Sequence, residues 1–177
     1  MVRTSEVQGQ EALKIEQEER AAVVIVEDKP IASLPREITL QEIEPEYVIK
    51  VSRQDIECLM RIVEAEAGCE DRTGKLLVAN VVINRVRDEA FPDTVTEVVY
   101  QRNSQSAQFS PVSNGRIDTV KVSEETKEVV YSALRGEDVS QGALYFVARK
   151  YANPDKVCWF DDNLTHLFSH GGHDFFF

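Results

Sequence analysis

Between Leu76 and Val86 the chain reads LLVANVVINRV. At about 100° per residue its leucines, valines and isoleucine cover almost a full helical circumference. A helix that is apolar all round must be buried, so the rest of the domain has to be built around it. Thr73 is expected to cap this helix, which then runs over KLLVANVVINRVRDEA, residues 75–90. Its one interruption is a polar stripe, Asn80, Asn84 and Arg87, at i, i+4 and i+7. A buried Asn must find partners. The stripe therefore either anchors adjoining loops or lines a cleft.

The preceding stretch, DIECLMRIVEAEAGCED (55–71), reads as an amphipathic helix. Ile56, Leu59, Met60, Val63 and Ala67 share one face, and Glu57 and Glu64 are expected to point away from it into solvent. Ser52 is the expected N-cap, with Asp55 three residues on, and Gly68 marks the end. Glu66 is different. Val63, Ile62 and Leu59 lie three, four and seven residues before it, so its helical neighbours are apolar. A carboxyl held against such side chains has its pKa raised and is suited to general-acid work. The plainer alternative is a boundary acid paired with a nearby Arg or Lys. Glu70 falls on the same edge if the helix runs one more turn.

Later elements follow from caps and turns. Thr94 opens a short helix, TVTEVVYQ, and Ser123-Glu124-Glu125 opens ETKEVVYSALRGE, with Gly136 at C′. Between them, RNSQSAQFSPVSNGRIDT has no periodicity, and a polar loop of this length is usually functional or mobile. It holds Gln108, Phe109 and Ser110, equipment for stacking on and hydrogen-bonding a sugar. Alternatively, Phe109 plugs the core and its neighbours face solvent. From Ala143 the pattern turns to β: ALYFVARK, then LTHLFSH and HDFFF across Gly171-Gly172, a two-residue hairpin signal. Helices followed by strands indicate an α+β domain with a small antiparallel sheet near the C-terminus.

The 177 residues suggest one domain plus an appendage. Residues 1–50 read as an arm or linker with a candidate edge strand over 21–28, and 51–177 as the folded domain. The first 20 residues lack the apolar stretch of a signal peptide: either export takes another route or the chain has been trimmed. No apolar run reaches the length of a membrane span. A formal net charge of −11 argues against nucleic acid as the partner. Cys58, Cys69 and Cys158 lack metal-ligand spacing, and a Cys69–Cys158 pair is the one disulfide left open. His170 and His173 flank the glycine pair and His166 shares a face with His170, yet nothing is placed to complete a zinc shell. No metal or cofactor is expected. With no phosphate-binding loop and no nucleophile motif, carboxylate chemistry is the enzymatic reading that remains.

Several of these segments follow, in order, a known pattern: Glu66-Ala67-Gly68-Cys69-Glu70, GKLLVANVVINRV (74–86), FPDTVTEVVYQ (91–101), QFSPVSNG (108–115), GALYFV (142–147) and GGHDFF (171–176). Together they resemble the catalytic domain of the spore cortex-lytic cell-wall hydrolases of the SleB and CwlJ type. The resemblance implies a helical fold like those of lysozymes and lytic transglycosylases, and action on peptidoglycan glycan strands in the cell wall, the spore or outside the cell. It also implies that Glu66 is the catalytic acid and that Glu70 is the second acid of the E-A-x-G-E motif. Gly68-Cys69 stands where x-Gly is usual, so the turn is expected to shift by one residue. The implied reaction is cleavage of the MurNAc–GlcNAc bond by a lytic transglycosylase, with one Glu acting as acid and then base. A hydrolytic muramidase would need a second carboxylate, for which Glu70, Asp118 and Asp161 are the candidates. A wall- or coat-binding module without catalysis is the alternative of a different class. Glu70, Gln108, Phe109, Ser110, Tyr145 and His173 are the expected substrate-binding residues.

Overall fold

The structure, a computed structural model, describes residues 46–102 and 107–177. Residues 1–45, with the expected edge strand at 21–28, lie outside the described residues, as do 103–106. In chain order the elements are α1 (Arg53–Ala67), α2 (Arg72–Arg87), α3 (Val95–Tyr100), α4 (Ser110–Ser113), α5 (Arg116–Thr119), α6 (Glu124–Leu134), β1 (Tyr145–Val147), α7 (Pro154–Asn163), β2 (His166–His170) and β3 (His173–Phe176). The sheet is antiparallel with order β1-β3-β2. This is the α+β arrangement the sequence indicates.

Helix α2 is enclosed on every side, and each side meets a different neighbour. Leu76, Val78, Ala79, Val82 and Ile83 join the main core, built with residues of α1, α3 and α6. Leu77 and Val81 turn the other way, onto Ala143 and Phe175 of the sheet region. Burying each such side chain stabilises the fold by roughly 1.5–3 kcal/mol. The polar stripe takes the anchoring role. Asn80 donates to the Glu137 carbonyl (2.9 Å) and accepts from the Val139 amide (3.3 Å). Asn84 donates to Ser140 Oγ (2.8 Å) and the Ala143 carbonyl (3.1 Å). Both side chains thus hold the 137–143 loop, and Arg87 is exposed.

Helix ends follow local chemistry. Ser52 and Asp55 form a capping box, each side chain satisfying the other's backbone N–H. Asp55 also accepts from the Thr96 amide (3.0 Å) and hydroxyl (2.7 Å), joining the start of α1 to α3. The cap of helix α2 lies two residues earlier than expected: Asp71, not Thr73, accepting from the Gly74 amide at 2.8 Å. The C-terminus of α6 closes with Gly136 at φ +102°, its amide on Ala133 and that of Glu137 on Ser132.

Two further expectations are corrected, and two open points are settled. Glu64 is not a solvated acid: it accepts from the amide and hydroxyl of Ser123 (3.0 and 2.8 Å) and from the Thr126 hydroxyl (2.5 Å), tying α1 to the start of α6. Asn153-Pro154 opens α7 between the two stretches read as β, in a segment given no element, with Asn153 capping and Pro154 in the first turn, where its missing N–H costs nothing. A bulge between His166 and Phe168 interrupts the alternation on which a shared face for His166 and His170 rested. The Cys69–Cys158 bond left open is not formed; all three cysteines are free thiols, the simpler reading of their number. Among the described residues no helix is long and apolar enough to cross a membrane.

Burial of Asp55 opposes its charge, but the hydrogen bonds from Ser52 and Thr96 outweigh this and hold its pKa down to about 2. Its folded value lies below its ordinary value, so its contribution is complete above about pH 4 and is lost as pH falls toward 2. Asp55→Asn is therefore expected to cost about 2 kcal/mol at pH 6 and progressively less below pH 4, measured by denaturant unfolding across that range.

Candidate active site

Glu66 sits in the last turn of α1, among Ile62, Val63 and Ala67, all of them buried. Burial pushes its carboxyl up to about 7, against the opposing charges of Lys156 and Arg116 and a hydrogen bond from the Ser110 amide. That amide is free for a local reason. Helix α4 is capped by Phe109, which has no side-chain acceptor, so the first N–H of the helix has no competing partner. The contrast with Glu64, two residues earlier, is instructive. Burial acts on it too, but the donors from Ser123 and Thr126 more than offset this and hold its carboxyl below the usual range.

Two cavities meet at Glu66. One, of about 310 Å³, is bounded by Gln108, Phe109, Phe146, Asn153 and Lys156. The other, of about 490 Å³, is bounded by Glu70, Asn114, Arg116 and Gly172. Glu66, Ser110, Ala148, Tyr151 and His173 belong to both. Each volume is in the range of small-ligand sites, and together they form a two-lobed cleft.

Most of the expected site residues are brought together here. Glu66, Ser110 and His173 line both lobes, Gln108 the first and Glu70 the second. Phe109 belongs to the floor rather than to an open stacking face. It is 3% exposed, with its ring beside Phe146 and the Arg85 guanidinium. Tyr145 is not part of the cleft wall. Strand side chains alternate, and Tyr145 goes to the side of Phe91, Phe160 and Arg85, whereas Phe146 packs against Phe109 and His173. Asp161 is held by Arg149 in a two-pronged ion pair (2.9 and 2.8 Å), and neither it nor Asp118 lines a lobe. Among the described residues, the carboxylates on the cleft are therefore Glu66 and Glu70.

Sequence reasoning missed Phe146, Tyr151, Asn153, Lys156 and Arg116. The Asn153-Pro154 pair was the available signal for α7, and with α7 comes Lys156. Tyr151 is 81% exposed where the two lobes meet. His173 is 8% exposed, and burial holds its imidazole below the usual range despite the nearby Glu70 and Asp174 carboxylates. Its ring stands edge-on to Phe146, 5.4 Å between centroids. His170 pairs instead with Asp71, and His166 lies against Phe176. Among the described residues no three His, Cys, Asp or Glu side chains gather to hold a metal ion.

A family model described as Cell Wall Hydrolase matches residues 69–176, which carry β1–β3, α2–α7 and most of the cleft wall. The chain belongs to the cell wall hydrolase family. Glu66 lies three residues ahead of the matched span. Relatives include spore cortex-lytic enzymes of Oceanobacillus iheyensis (35% identical over 104 residues, 59% of this chain and 34% of that protein) and Bacillus subtilis (34% over 104 residues, 59% and 31%). The chain thus spans about a third of the length of the curated relatives it matches. Among solved structures, it is similar to the catalytic domain of the germination-specific lytic transglycosylase SleB from Bacillus anthracis (28% identity, TM-score 0.60, 71% of this chain and 96% of that one). It is also similar to the catalytic domain of the Bacillus cereus SleB protein (26%, TM-score 0.61, 76% and 98%).

The raised pKa of Glu66 has a stability signature. Below about pH 4.5 the group is protonated folded or unfolded; between 4.5 and about 7 the unfolded chain releases the proton first, so stability falls as pH rises. Glu66→Gln removes that cost. It is expected to be more stable than the wild type at pH 8, by up to about 3 kcal/mol, with the gap closing toward pH 4.5 in denaturant unfolding.

Proposed function

We propose that this chain is a peptidoglycan lytic transglycosylase that cleaves the MurNAc–GlcNAc bond, with Glu66 as acid and then base. The observation that carries the reading is a carboxyl raised to about 7 at the junction of two cavities large enough for sugars. A group with that value is substantially protonated near neutral pH and is an effective base once it has given up the proton.

Glu66 donates its proton to the glycosidic oxygen as the C1–O bond breaks, and the leaving GlcNAc departs with a free hydroxyl. Positive charge develops at C1 of the MurNAc, within the field of the new Glu66 carboxylate. The 6-hydroxyl of the same sugar attacks C1, and Glu66 takes up its proton. The product is a 1,6-anhydro sugar, the carboxyl is restored, and no water is consumed. The Ser110 amide, which favours the charged form of Glu66, supports the carboxylate between the two transfers. Gln108, Ser110 and His173 are placed to hydrogen-bond sugar, and Tyr151 to cover it.

The names of the relatives and the structural neighbours support cell-wall peptidoglycan, with spore cortex foremost, as the substrate and the wall or spore as the place of action. A hydrolytic muramidase would draw on Glu70, the other acid of the cleft. Digestion of purified peptidoglycan followed by mass spectrometry separates the two. Anhydro-muramyl ends are expected, whereas reducing ends carrying solvent oxygen would show hydrolysis. Glu66→Gln is expected to bind sacculi yet release fragments at least about a hundredfold more slowly. If the wild type binds but releases nothing, the protein is a binding module. Since the acid form of Glu66 starts the reaction, kcat/KM on soluble glycan fragments should fall as pH rises through about 7.

A further inference from the structure

We propose that Glu70 is a positioning residue: its side chain is a latch, seated in a slot made by three glycines, that fixes the β2–β3 turn and sets His173 beside Glu66. The inference rests on the glycosidase reading for its functional consequence, and on packing alone for the latch.

The slot is defined by what a side chain would meet there. A Cβ on Gly74, in the first turn of α2, would lie 2.7 Å from Glu70 Cβ. A Cβ on Gly171 would collide with Glu70 Oε2, and one on Gly172 would come within 3.3 Å of Oε1. Gly171 has a left-handed backbone, φ +54°, that favours glycine in any case; Gly74 and Gly172 do not. Glycine within a helix costs about 1 kcal/mol relative to alanine. At Gly74 it makes room for Glu70.

The seated carboxylate meets the turn directly. The Gly172 amide donates to Oε1 at 3.4 Å, and His173 Nδ1 lies 3.8 Å from the same oxygen. The next residue, Asp71, holds the other end of the turn through His170 Nε2 at 2.8 Å while also capping α2. Consecutive acids between α1 and α2 thus clasp both ends of the hairpin tip, and His173 is the first residue beyond it. His173 lines both lobes with Glu66. A turn that drifts carries His173 with it, and a displacement of about 1 Å at a reacting centre can cost a hundredfold in rate. Glu70 acts through the turn rather than on the sugar.

The test compares Glu70→Gln with Glu70→Ala in the full chain, measuring fragment release and steady-state constants on soluble glycan fragments, with Glu66→Gln alongside. Glutamine retains an oxygen for the Gly172 amide, so it should keep most of the wild-type kcat. Alanine should lose at least tenfold in kcat with a smaller change in KM. Equal loss in both variants would mean that the charge itself is required and would overturn the latch in favour of a second catalytic acid. No loss in either would also overturn it. A thermal-unfolding cycle probes the slot without activity. Gly171→Ala should lower Tm less in the Glu70→Ala background than in the wild type, because the collision is gone while the cost of the left-handed backbone is common to both. Additive shifts would refute the slot. A wild type that releases no fragments would remove the glycosidase reading, activity surviving in Glu66→Gln would remove Glu66 as its acid, and either would leave the result of this cycle standing.

Discussion

Everything in this fold depends on burying a sixteen-residue helix from all directions. Helix α2 has no face it can leave in water except at its ends, so α1, α3 and α6 close over one side and the sheet over the other. The polar side chains it carries inward each find at least one partner. Asn80 and Asn84 hold a loop, and Lys75 is paired with Glu125. Arg85 donates to the Leu144 carbonyl at 2.7 Å, with three aromatic rings around its guanidinium. The cleft is a by-product of this arrangement, because the end of α1, the start of α4 and the sheet all converge where α2 requires cover.

Within that frame, chemistry is assigned by how many donors reach each acid. Asp55, Glu64 and Glu66 lie on one helix. Asp55 and Glu64 are ringed by hydroxyls and amides and are held as anions; Glu66 has one amide and apolar walls, and is held as an acid. The same residue type, two positions apart, is held below the usual carboxylate range in one case and well above it in the other. What differs is how deeply each is buried and which loop faces it: Ser123 and Thr126 over Glu64, and Ser110 over Glu66.

This is also where the sequence was legible and where it was not. Periodicity and caps located α1, α2, α3 and α6, and the glycine pair located the β2–β3 hairpin, because those signals are local. The apolar neighbours of Glu66 are local too, three and four residues away on its own helix. Glu64 looked solvated because its partners come from a segment some sixty residues later. Helix α7 lies in a segment, 151–163, to which no element was assigned, although its Asn153-Pro154 start was there to be weighed. Tyr145 and Phe146 were exchanged because the parity of a three-residue strand depends on where pairing with β3 begins. No property of either ring reveals that.

The grip of Asn80 and Asn84 on the 137–143 loop has a consequence for how this chain can change. That loop delivers the backbone to β1, and its length sets the reading frame of the strand. Because side chains alternate, gaining or losing one residue between Glu137 and Ala143 would present the wrong member of the Tyr145-Phe146 pair to the cleft. By fastening the loop at both ends, α2 acts as a ruler for it. An exposed position such as Val139 is open to drift, whereas the buried Ser140 and the length of the loop are not.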